Sequence, residues 1–124
     1  MPRNISFMLT TRQFIAHTKT VTRREGWEGV EVGEILCGCE KCQGIPKGGT
    51  INRLGLIRVK SVRREPLSRM TDDPVYGAEE CRLEGFPEMT PRQFVAFYCK
   101  ANGNRDPAEP VTRIEYEYLD EAPA

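Results

Sequence analysis

The stretch from Leu54 to Val62 constrains the fold more than any other part of the chain. Its apolar residues alternate with polar ones, but the phase changes between Leu56 and Ile57, just after Gly55. A strand has a side-chain period of two, so a phase change marks an extra residue, a β-bulge. Bulges bend and twist the strand that carries them. A long bulged strand among short ones predicts a curled sheet or a small barrel rather than a flat sheet. Pro66 ends the stretch.

The flanking elements are shorter. Ile5, Phe7 and Leu9 alternate along a first strand, and Val30 to Cys39 makes another, broken by a turn at Gly33-Glu34. Val111 to Leu119 closes the series, with Thr112, Ile114, Tyr116 and Tyr118 on one side and Arg113, Glu115 and Glu117 on the other. Thr10 and Gln13 stand at capping-box spacing before a short helix bearing Phe14 and Ile15, which ends near His17. Asp73 and Pro74 open a second helix to about Leu83, weakened by Gly77. Thr90, Pro91 and Gln93 open a third, where Phe94, Val95, Phe97 and Tyr98 recur at helical spacing before Asn102-Gly103 stops it. The order predicts an α+β fold: a small bulged β-barrel with two to three short helices, one domain over 1–119 and a frayed tail at 120–124.

Charge narrows the function. The 124 residues hold 18 basic and 18 acidic side chains, with no apolar run near the roughly 20 residues that cross a bilayer. No export signal is visible, and five cysteines, an odd number, read as reduced thiols of a cytoplasmic protein. The charges are unevenly spread. Residues 1–24 carry Arg3, Arg12, Lys19, Arg23 and Arg24 without an acid, and Arg53, Arg58, Lys60, Arg63 and Arg64 form a second basic block. Where the two blocks meet in space they make a positive face for RNA; where they do not, they are ordinary surface.

The candidate site is Thr18-Lys19-Thr20-Val21-Thr22-Arg23-Arg24, followed by Gly26-Trp27. Hydroxyls orient a polar ligand and cations neutralise an anion, so this composition suits a phosphate or a planar polar group. The plain alternative is a solvated strand rich in β-branched residues. As a binding site, Thr20, Thr22, Arg23, Arg24 and Trp27 would hold a base against the indole and a phosphate against the guanidiniums, with Arg58 and Arg63 extending the basic surface.

Lys19-Thr20-Val21-Thr22-Arg23-Arg24 after a short helix, Val32-Gly33-Glu34, a basic strand ending in Ser61-Val62, Glu84-Gly85-Phe86 and the strand Val111–Leu119 together resemble the ASCH family. The resemblance implies a PUA-like β-barrel associated with binding RNA or RNA-derived ligands. The Lys-Thr-x-Thr-x-Arg pattern is similar to the branch that includes small amidohydrolases acting on acetylated cytidine. It implies catalytic roles for Lys19, Thr22 and an acid, with Glu84 and Glu88 both near the matching place.

The residues permit that chemistry. Thr22 would serve as nucleophile if Lys19 were neutral, whereas a glutamate beside Lys19 would favour activating water or protonating the leaving group. On an ideal strand Lys19 and Thr22 face opposite ways, so the trio needs a twist at Thr18–Thr20. Metal-free RNA cleavage around Lys19 and an arginine is a further reading, and a non-catalytic interaction module another. Cys37, Cys39 and Cys42 raise a zinc site needing Cys81, Cys99 or His17 as fourth ligand, but one C-x-C-x-x-C cluster is poor zinc spacing. The reading adopted is free thiols, with no metal and no cofactor.

Overall fold

The computed structural model describes residues 2–42 and 48–119. Five strands form one mixed sheet: β1 (Arg3–Ser6), β2 (Val21–Arg24), β3 (Ile35–Cys39), β4 (Arg53–Pro66) and β5 (Pro110–Tyr118), in the order β1-β3-β4-β5-β2. The β1–β3 pair is parallel and the other pairs are antiparallel. The sheet curls into a half-barrel whose edges, β1 and β2, are not hydrogen-bonded to each other. The α+β class and the curl match expectation; the expected barrel is an open one. Its closing strands are too short for more, with four residues each and one partner apiece.

A bulge is present beside Gly55, but before it: the ladder runs unbroken through Leu56 and Ile57, where the phase change predicts it. Gly38 opposes Gly55 while Cys39 opposes Arg53, so Leu54 is the extra residue. A second irregularity lies between Val59 and Ser61 against β5, and β4 runs on to Pro66.

Two stretches expected as strand are turns. Phe7 donates to Cys39 O and then Met8–Thr10 winds into a 3-10 turn leading to α1 (Thr11–Ile15). Thr10 occupies the cap position, but its hydroxyl makes no capping bond; Thr11 Oγ1 instead donates to Phe7 O at 2.8 Å. Between Val30 and Glu34 the amides bond to Trp27 O, Val59 O and Glu31 O, so β3 begins only at Ile35. The helices α2 (Arg69–Asp72), α3 (Pro74–Leu83) and α4 (Pro91–Ala101) fill the stretch between β4 and β5. The last two start as expected: Asp73 accepts from Tyr76 N, and Thr90 and Gln93 complete a reciprocal capping box. The short α2 has no such signal.

The core has two parts. Ile5, Phe7, Phe14, Leu36, Ile57, Val59, Ile114 and Tyr116 pack inside the curl beneath α1. Leu67, Met70, Cys81, Phe86, Phe94, Val95, Tyr98 and Val111 pack between the helices and the other face of the sheet. Strand β5 therefore has core on both faces, which is why Arg113, on the side that sequence alternation makes polar, is buried.

Candidate functional site

Strand β2 is an edge strand, so residues on both of its faces border the space beside it. That space is a cavity of about 570 Å³. Lys19, Thr22, Arg23, Arg24, Trp27 and Glu84 line it, with Phe7, Phe86, Phe94, Phe97 and Tyr98 as an aromatic wall. The volume lies in the small-molecule range.

Local geometry brings Lys19 to Glu84. Strand structure starts only at Val21, and the preceding residue is pinned from both sides: Thr20 N donates to Leu83 O at 2.9 Å, and Tyr116 N donates to Thr20 O at 3.0 Å. Tyr118 Oη donates to Lys19 O. Glu84 is the C-cap of α3, and Gly85 after it has φ +93, a left-handed turn that suits glycine. A Cβ there would lie 2.9 Å from Gln13 Cγ and 3.3 Å from Lys19 Cβ, so only glycine lets α1 and the lysine come so near. Lys19 Nζ then donates to Glu84 Oε1 at 2.6 Å and to Glu84 O at 3.0 Å. Burial pushes the lysine pKa down, against the opposing pull of the Glu84 carboxylate.

The second oxygen of Glu84 is held by Arg23 Nη1 at 2.9 Å. Arg23 is the end of a cross-strand row, since Arg63 faces Arg113 across β4–β5 and Arg113 faces Arg23 across β5–β2. Three arginines side by side, with Arg23 and Arg113 buried, require anions. Glu65 from β4 and Glu80 from α3 supply two of these: Arg23 Nη2 meets Glu80 at 2.5 Å and Glu65 at 3.2 Å, and Arg113 Nε meets Glu80 at 2.6 Å. Although burial opposes the Arg23 charge, Glu84 and Glu80 outweigh it and raise its pKa. Burial would lift Glu65, but hydrogen bonds from Tyr76 and Arg63 and the Arg23 charge take it down to about 2.

Arg24 stands apart. It borders the cavity on the opposite face of β2 from Arg23. Nε donates to Thr22 Oγ1 at 3.0 Å and Cζ lies 4.9 Å from the centre of the Phe7 ring. Burial lowers its pKa. Among the described residues it makes no ion pair.

Of the residues expected at the site, Lys19, Thr22, Arg23, Arg24, Trp27 and Glu84 share one cavity. Glu88 is exposed and outside it. Thr20 contributes backbone bonds and does not line it. Arg58 and Arg63 are also elsewhere: Arg58 pairs with Glu117 at 3.3 Å on the surface, and Arg63 pairs with Glu65 at 2.6 Å. The two basic blocks therefore do not merge into one free positive face, because Glu117, Glu65 and Glu28 pair with Arg58, Arg63 and Arg64 of the second one. His17 stacks on Tyr118 at 3.8 Å, away from the cavity. Cys37 and Cys39 are buried thiols, Cys39 raised to about 12 by burial and the neighbouring Cys42, and no group of three or more metal-binding side chains is set for an ion among the described residues. Sequence reading missed Glu65 and Glu80, and also Phe7, whose ring supports Arg24. The register of Arg63, Arg113 and Arg23 across three strands is the signal that would have demanded the acids.

No family model and no curated protein matches the chain. Its fold is similar to the crystal structure of protein EF3133 from Enterococcus faecalis V583, of family DUF984. The TM-score is 0.59 at 14% identity, covering 97% of this chain and 81% of that one. At that identity the likeness concerns the fold alone. No helix among the described residues is long and apolar enough to cross a membrane.

Proposed function

We propose that this is an ASCH-like domain of PUA-like architecture, which binds an RNA-derived nucleoside or nucleotide in the cavity beside β2. The observation that carries the reading is Arg24: a guanidinium without an ion pair among the described residues, seated on an aromatic ring at the wall of a ligand-sized cavity. Aromatic faces stack on bases, and a free guanidinium suits an anion or a carbonyl edge. The ion pairs of Arg58, Arg63 and Arg64, the last with Glu28 at 3.1 Å, favour a small ligand over an extended RNA strand. Calorimetric titration with nucleosides and with a short single-stranded RNA tests this. Nucleoside or nucleotide binding that is weakly salt-dependent is expected; RNA binding that falls steeply with salt would favour the strand.

A second reading has its own observation, the 2.6 Å pair of Lys19 and Glu84 at the wall of the cavity that Thr22 also lines. In amide hydrolysis Glu84 would take a proton from the attacking water, directly or through Thr22, and the Lys19 ammonium would protonate the departing nitrogen as the C–N bond breaks. The products would be an acid and a free amine. Consumption of acetylcytidine by the wild type and not by Lys19→Ala would establish it. His17 is the sole histidine and lies outside the cavity, so no histidine pair stands there for ribonuclease chemistry.

A further inference from the structure

We infer that the cavity takes a phosphate monoester, a mononucleotide rather than a neutral nucleoside, with Arg24 and Thr22 receiving the phosphate. This rests on the nucleoside or nucleotide reading above and narrows it by charge.

Among the described residues the charged lining consists of four cations, Lys19, Arg23, Arg24 and Lys41, and two carboxylates, Glu25 and Glu84. These are not equally available. Lys19 and Arg23 share Glu84, and Arg23 is further held by Glu65 and Glu80. Glu25 is turned outward to Arg105 at 2.8 Å and accepts from Tyr98 Oη at 2.8 Å. Arg24 and Lys41 make no ion pair among the described residues. Among the described residues the wall thus keeps two uncompensated positive charges, one half-buried and one at the exposed rim. A phosphate monoester carries a charge of about −1.5 to −2 at neutral pH, which matches them; a phosphodiester carries about half that.

The local geometry is set for such an anion. Nε of Arg24 is committed to Thr22, and the guanidinium lies over Phe7, which leaves the paired Nη groups as a fork. A fork of two N–H groups is the arrangement that grips a phosphate bidentately. Thr22 accepts from Arg24, so its own O–H remains to donate to a third oxygen. The aromatic wall of Phe86, Phe94 and Phe97 is left for the base.

The test is calorimetry at pH 7.5 with cytidine, its 5′-monophosphate and its 2′,3′-cyclic phosphate, repeated in the adenosine series. The monophosphate should bind about tenfold or more tighter than the nucleoside, with the singly charged cyclic phosphate between them. Arg24→Ala should erase that gap, so that nucleoside and monophosphate bind equally, and Arg24→Lys should restore part of it. Thr22→Val and Lys41→Ala, the latter at an exposed position, should each narrow the gap, and they keep the test open if Arg24→Ala fails to fold. Equal affinity for nucleoside and monophosphate, or a gap that survives Arg24→Ala, overturns the inference and leaves the broader reading standing. Tighter binding of an eight-nucleotide RNA than of the monophosphate overturns it in favour of a strand. No binding in either series overturns both.

Discussion

Lys19 and Glu84, 65 residues apart in sequence, meet at 2.6 Å with both side chains almost fully buried. Two charges removed from water are tolerated because each is also bonded elsewhere: the lysine to Glu84 O, the carboxylate to Arg23. Such a pair adds little net stability by itself, but its halves cannot be separated cheaply.

Glu84→Gln should therefore destabilise the fold by about 3–5 kcal/mol, because it leaves two buried cations without their shared anion. Glu88→Gln, at an exposed position, should stay within about 0.5 kcal/mol of wild type. Urea unfolding of the two variants measures the contrast, and equal losses would contradict the burial and pairing described for Glu84.

Acid should weaken the protein through Glu65. Its carboxyl is held at about 2, below its ordinary 4.5, so the folded state binds its proton later than the unfolded chain does. Its contribution is whole above pH 4.5 and is lost as the pH falls from there towards 2. Glu80 is lowered too and adds to the same slope. Glu65→Gln should flatten stability against pH across that window, as read from urea midpoints; an unchanged slope would show that Glu65 does not supply it.

Gly77→Ala is expected to destabilise, although alanine is the better helix former by about 1 kcal/mol. A Cβ at Gly77 would run into the Met70 carbonyl oxygen and lie 2.8 Å from Pro91 Cγ. The backbone of α2 would have to move, at a cost of about 1–3 kcal/mol. A thermal midpoint at or above that of the wild type would show that the contact between α2 and α3 is looser than it stands here.

What was legible in the sequence is what local chemistry dictates. Thr90, Pro91 and Gln93 announced α4, Asp73 and Pro74 announced α3, and Gly55 marked the bulge. Thr10 carried the same signature as Thr90 and did not cap, since it ends the 3-10 turn with ψ 29, whereas Thr90 has the extended ψ of 159 that aims its hydroxyl at the first helical turn. Exposed Met8 and Leu9 lent β1 a false extension. Gly77 read as a weakness in a helix and is a close-packing point, which no local pattern can tell. The acid-free run from Lys19 to Arg24 located the cavity wall, but the partners that separate Arg23 from Arg24 come from β4 and α3. Alternation put those two arginines on opposite faces; only the fold says which face is already full of carboxylates.

The sheet order also bears on how the molecule comes into being during synthesis. Among the described residues strand β2 has its one ladder in β5, which follows all the other strands in chain order. Lys19 and Thr20 are tied to Tyr118 and Tyr116 of the same late strand. Until residues 110–118 are translated, the lysine–threonine segment can reach Leu83 and Glu84 but has no neighbouring strand to lie against. The cavity thus forms only once β5 is in place, and a nascent chain halted before residue 110 would carry every described residue of its wall without having the wall.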